Sequence, residues 1–142
     1  MTRYSVLVVD DEQDFREIMV KKLRKKELEC DGAPDGETAL QMFSPGKYDV
    51  VLLDVKMPGR DGIEILQEMK KIAPMTEVVM LTGHASVESG INGIKFGAFD
   101  YLMKPMDMER LMEKLDAAYE RKRSQQQKIE MAQIKKDMAM PS

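Results

Sequence analysis

Asp10, Asp11, Asp54, Thr82 and Lys104 each stand just after, or at the end of, a short apolar run, and their types together suit one chemistry. Three carboxylates gathered at neutral pH raise one another's pKa and call for a cation, and the single ammonium of Lys104 offsets only part of that charge. A hard divalent ion such as Mg2+ is the natural partner, because it takes one or two carboxylates together with waters and phosphate oxygens. A carboxylate beside Mg2+, a lysine and a hydroxyl is equipped for phosphoryl transfer. Asp54 would attack phosphorus and become an aspartyl phosphate. Lys104 and the metal would neutralise the equatorial oxygens, and Thr82 would hydrogen-bond one of them.

That chemistry requires the five residues to converge, and the elements that carry them supply a reason. Val6–Val9, Val50–Leu53 and Val78–Leu81 are all-apolar runs, the pattern of strands buried on both faces in a parallel sheet. A segment around Leu28–Ala33 and a last strand at Phe99–Met103 bring the count to five. Between them lie five helical patterns. Asp14–Lys26 has Phe15, Ile18, Met19 and Leu23 at helical spacing, and Glu37–Phe43 turns Ala39, Leu40 and Phe43 inward. Ile63–Ile72 sets Ile63, Leu66, Met69 and Ile72 in phase, and Ser86 is placed to cap Val87–Phe96. Met108, Leu111, Met112, Leu115 and Tyr119 line a terminal helix. Pro34-Asp35-Gly36, Ser44-Pro45-Gly46, Pro58-Gly59 and Asp61-Gly62 punctuate the chain as turns. Gly90 and Gly93 make the fourth helix the expected weak member of the set, at ~1 kcal/mol each relative to Ala. Strict alternation of strand and helix predicts right-handed crossovers, one parallel sheet and helices on both faces. In such a sheet the carboxyl ends of the strands share an edge, and ligands bind there.

Length and composition narrow the classes. The 142 residues suffice for one domain with a sizeable core, 43% being hydrophobic and 33% charged. A formal charge of -3 argues against a surface dedicated to nucleic acid. The single cysteine, Cys30, precludes an internal disulfide and a cysteine metal cluster. No signal-peptide pattern opens the chain and no run reaches transmembrane length, so the expectation is a cytoplasmic protein without membrane contact. Residues 1–120 read as the domain. Arg121–Ser142 read as a polar helical extension or tail with no recognisable output domain, and Arg121-Lys122-Arg123 as a solvated helix end.

The segments VLVVDDE, VVLLDVKMPGRDG, VVMLTGH and FDYLMKP, in this order and at this spacing, closely resemble the receiver domains of bacterial two-component response regulators. The resemblance covers about residues 4–120. It implies a flavodoxin-like α/β fold, a doubly wound five-stranded parallel sheet in the order 2-1-3-4-5 with five helices. It implies that Asp54 accepts a phosphoryl group from a histidine kinase, a phosphotransfer protein or a small phosphodonor. Asp10 and Asp11 would hold Mg2+ with Asp54 and the backbone carbonyl of Lys56. Thr82 and Tyr101 would be the switch pair and Lys104 the phosphate-binding lysine, with a cis bond before Pro105. Phosphorylation would draw in Thr82, let Tyr101 turn inward and alter the surface of helix four, strand five and helix five. That surface would relay the signal to a downstream target protein or form a phosphorylation-dependent homodimer. His84 and the Lys56 side chain occupy positions that would tune phosphoryl lifetime. The implied protein is a phospho-acceptor module rather than a turnover enzyme, its only chemistry being self-phosphorylation and self-dephosphorylation.

Three other readings fit less well. A haloacid dehalogenase-type phosphatase also forms an aspartyl phosphate, but it wants an acid two residues after the nucleophile, where this chain has Lys56. A pseudo-receiver that only binds partners would ordinarily have lost the acceptor or an acid. A flavodoxin-type electron carrier needs a hydroxyl- and glycine-rich phosphate cradle after strand one, where this chain offers acids.

Overall fold

The computed structural model describes residues 3–57, 59–83 and 87–139. Pro58, His84 and Ser86 lie outside the described residues. Five strands alternate with five helices: β1 (Ser5–Val9), α1 (Gln13–Lys25), β2 (Glu29–Ala33), α2 (Gly36–Met42), β3 (Val50–Asp54), α3 (Gly62–Ile72), β4 (Glu77–Thr82), α4 (Val87–Lys95), β5 (Asp100–Met103) and α5 (Met108–Ala139). All pairings are parallel, and the strand order is β2-β1-β3-β4-β5. This is the flavodoxin-like arrangement that the receiver-domain resemblance implies.

Alternation along the strands divides the core in two, because successive side chains of a strand point to opposite faces. Leu7, Val9, Val51, Leu53, Val78 and Met80 pack with Ala39, Ile65, Leu66 and Met69 of α2 and α3. Val6, Val8, Val50, Leu52, Val79 and Leu81 pack on the other face with Met19 and Leu23 of α1 and Leu111 and Leu115 of α5. Burying each of the larger side chains contributes about 1.5–3 kcal/mol. Local signals fix the helix starts. The Asp35 carboxylate accepts a hydrogen bond from the Thr38 N–H at 2.7 Å, and that bond holds its pKa below the usual range. Asp61 caps α3 through the Ile63 N–H at 3.2 Å.

Four sequence readings need correction. Ile18 is 53% exposed and Ile72 is 41% exposed, although both were in helical phase with core residues. A helix lying on a sheet buries only a stripe, which here runs through Met19 and Leu23 in α1 and through Ile65, Leu66 and Met69 in α3. Gly93, read as a source of weakness, has a packing role: a Cβ there would meet Met80 Cγ at 2.9 Å, so its absence lets α4 approach β4. Lys122 is not solvated. It is buried and ion-paired with Asp49 at the start of the sheet, while Arg121 Nε lies 3.1 Å from Oε2 of the buried Glu77. Helix α5 then continues past these contacts as an exposed rod carrying Ile129, Met131, Ile134 and Met138. Among the described residues, no helix is long and apolar enough to cross a membrane.

Candidate functional site

The site lies where β1, β3, β4 and β5 end. Asp10 follows β1 and is still tied to the sheet, its N–H donating to the Ala33 carbonyl at 3.1 Å. It is fully buried, and both of its oxygens are engaged. Oδ1 accepts from the Glu12 N–H at 2.9 Å, and Oδ2 accepts from Lys104 Nζ at 2.6 Å. Asp11 is exposed. Asp54 closes β3 and is 7% exposed; its Oδ1 accepts from the Lys56 N–H at 3.2 Å. One oxygen each from Asp10, Asp11 and Asp54 falls within 4.8 Å of the others. The convergence that the chemistry demands is therefore present.

Lys104 reaches into this group from the loop after β5, and its bond to Pro105 is cis. Its Nζ lies 3.8 Å from Asp54 Oδ2 and 3.5 Å from Glu12 Oε1. Burial, and then the neighbouring Asp10, push the Asp54 pKa up to about 6, against the opposing pull of Lys104 and the Lys56 N–H; Asp11 adds to the rise. Burial works against the charged form of Lys104, yet the hydrogen bond to Asp10 and the charges of Asp54, Asp10 and Glu12 outweigh it and raise its pKa. Hard carboxylate oxygens at this mutual spacing fit Mg2+.

The remaining sequence candidates fall around this centre. Asp54 pairs in register with Leu81, which puts Thr82 one residue further along β4. Thr82 is fully buried and its hydroxyl donates to the Leu102 carbonyl at a long 3.4 Å, turned towards β5. Tyr101, within β5, is half-buried and packs against the core shared by α2 and α3. Lys56 is exposed in the loop after Asp54.

Two contributors escaped the sequence reading. A Cβ on Gly62 would meet the Asp54 and Val55 carbonyl oxygens, both at 2.8 Å, so only glycine lets α3 start this close to the strand that ends in Asp54. Asp61-Gly62 reads in the sequence as a turn, and the close approach depends on distance that sequence does not carry. Phe15 shares the helical phase of the buried residues of α1, and its ring centroid also lies 4.3 Å from Lys104 Nζ.

A doubly wound parallel sheet with an acid-rich centre at its carboxyl edge places the molecule in the flavodoxin-like class of α/β domains. The response regulator receiver domain model matches residues 6–116, and the chain belongs to that family. Among curated relatives, regulatory protein AtoC of Escherichia coli K12 is 39% identical over 106 residues, covering 75% of this chain and 23% of AtoC. The DNA-binding transcriptional regulator NtrC of the same organism is 33% identical over 127 residues, 89% of this chain and 27% of NtrC. The chain thus spans about a quarter of the length of these relatives. A solved receiver domain protein from Clostridium thermocellum superposes with a TM-score of 0.81 at 35% identity, covering 84% of this chain and 97% of that one. NtrX from Brucella abortus gives 0.86 at 32% identity, over 92% of this chain and 30% of that one.

Proposed function

We propose that this receiver domain takes a phosphoryl group on Asp54 in a Mg2+-dependent reaction and relays a signal through the surface of α4, β5 and α5. The observation that carries the reading is the juxtaposition of three carboxylate oxygens within 4.8 Å and an ammonium 3.8 Å from Asp54. The donor is a phosphohistidine on a histidine kinase or phosphotransfer protein, or a small phosphodonor. An Asp54 oxygen forms the new O–P bond as the bond from phosphorus to the leaving group breaks, and the leaving group departs with that electron pair. Asp10, Asp11, Asp54 and the Lys56 carbonyl are the residues that would hold Mg2+, which supplies positive charge against the phosphoryl oxygens. Lys104 meets one phosphoryl oxygen from the β5 side.

The long hydrogen bond from Thr82 to Leu102 is easily given up, which suits a hydroxyl that turns towards a phosphoryl oxygen. Its departure would leave room for Tyr101 to move inward and change the α4–β5–α5 face. That face is where a downstream target, or a second copy of the chain, would dock. Intact mass after incubation with Mg2+ and a small phosphodonor tests the acceptor reading. One phosphoryl adduct is expected, lost in Asp54→Ala and with EDTA; an adduct that persists in Asp54→Ala would overturn it.

A further inference from the structure

Among the described residues, Lys104 Nζ has these neighbours: Asp10 Oδ2 at 2.6 Å, Glu12 Oε1 at 3.5 Å, Asp54 Oδ2 at 3.8 Å and the Phe15 ring centroid at 4.3 Å. If the site works as proposed above, the neighbours differ in what else they must do. Asp10 and Asp54 are metal ligands, and Asp54 also carries the phosphoryl group, so both are drawn away from the ammonium when the site is loaded. Glu12 is 68% exposed, and water screens its charge. Among these described neighbours, the ring of Phe15 alone has no competing task.

The ring is also well anchored. Phe15 sits on α1 one turn after Asp11 and packs into the core shared by α1 and α5. An ammonium within ~6 Å of an aromatic centroid is attracted by the negative face of the ring. The Lys104 side chain is only 18% exposed, so little water competes for it. A free lysine side chain also loses substantial rotamer entropy when it is fixed, a cost that a preformed seat removes from the loading step.

We propose that Phe15 is a positioning residue for Lys104. Its ring face holds the ammonium beside Asp54 when Asp10 is engaged elsewhere, so that a phosphoryl group on Asp54 meets a cation already in place. The inference rests on the phospho-acceptor reading of the same site.

The test uses beryllofluoride, a mimic of the acyl phosphate, with Mg2+ present, and calorimetry on the full chain. Phe15→Leu and Phe15 replaced by pentafluorophenylalanine are expected to bind it about fivefold more weakly, equivalent to ~1 kcal/mol of cation–π attraction. Phe15→Tyr is expected to bind like wild type. The pentafluoro ring retains size and shape while reversing the quadrupole, so it separates attraction from packing. In a Lys104→Ala background the Phe15 substitutions are expected to have no effect, since the pair then has nothing left to couple. Unchanged affinity in both the leucine and pentafluoro variants, or an equal loss with Lys104 absent, would overturn the positioning role. Wild-type protein that does not bind beryllofluoride, or binds it equally well as Asp54→Ala, would instead overturn the acceptor reading and the inference with it.

Discussion

Replacing Asp54 by Asn should stabilise the metal-free fold. The Asp54 carboxyl titrates near 3.8 in an unfolded chain and at about 6 in the fold, chiefly because it is buried and next because Asp10 adjoins it. Between those values the native state binds a proton that the unfolded state has lost, so stability falls as pH rises through this window. The loss is complete above about pH 7. At 1.36 kcal/mol per pH unit, the difference amounts to roughly 3 kcal/mol. Asn has nearly the same shape and no charge to bury, so Asp54→Asn should recover much of that sum. Urea unfolding followed by circular dichroism, in EDTA, reads it directly. With a slope of about 2 kcal/mol per molar, the midpoint at pH 8 should rise by roughly 1 to 1.5 M. The gap should shrink as the pH is lowered through 6 towards 4, where the native Asp54 is protonated, and vanish below about pH 3, where it is protonated in both states. Mg2+ should narrow it from the other side, by stabilising the wild type through binding to the native state. A wild type as stable as Asp54→Asn at pH 8, or a gap that does not shrink in acid, would refute the electrostatic account of the site.

Two further substitutions probe the frame around it. Gly62→Ala would force a methyl group to within 2.8 Å of two backbone carbonyl oxygens, and should cost about 2–3 kcal/mol in urea unfolding while shifting Asp54 off its present position. Lys122→Met removes the partner of Asp49 at the opposite end of the sheet and should cost about 2 kcal/mol; Asp49→Asn added to it should restore part of that loss, because an unmatched carboxylate is then no longer held there.

Much of the fold is readable from pattern because its strands are all-apolar and end abruptly. Val50–Leu53 admits few interpretations other than a doubly covered strand, and the strand-helix alternation leaves little freedom in topology. Asp10, Asp11, Asp54 and Lys104 are legible for a related reason: charge at the end of a buried strand is costly and requires a purpose. What periodicity could not supply was the width of each contact. Ile18 and Ile72 share the phase of buried residues yet lie just off the stripe that meets the sheet. Nor could it reveal relations across the sequence that depend on distance. Lys122 looks like one of three surface cations until α5 carries it over Asp49. Phe15 looks like core until Lys104, far along the chain, arrives over its ring. Gly62 reads as a turn former, whereas its indispensable property is the absence of a Cβ against the strand that ends in Asp54.

The most direct test of the central claim is to locate the phosphoryl group. The protein is incubated with Mg2+ and a small phosphodonor, treated with borohydride to convert an acyl phosphate to homoserine, and digested for peptide mass spectrometry. The account predicts homoserine at position 54 alone, in a yield that falls to background with EDTA and in Lys104→Ala is formed more slowly. Conversion at Asp10 or Asp11, or conversion at Asp54 that is indifferent to Mg2+, would contradict it.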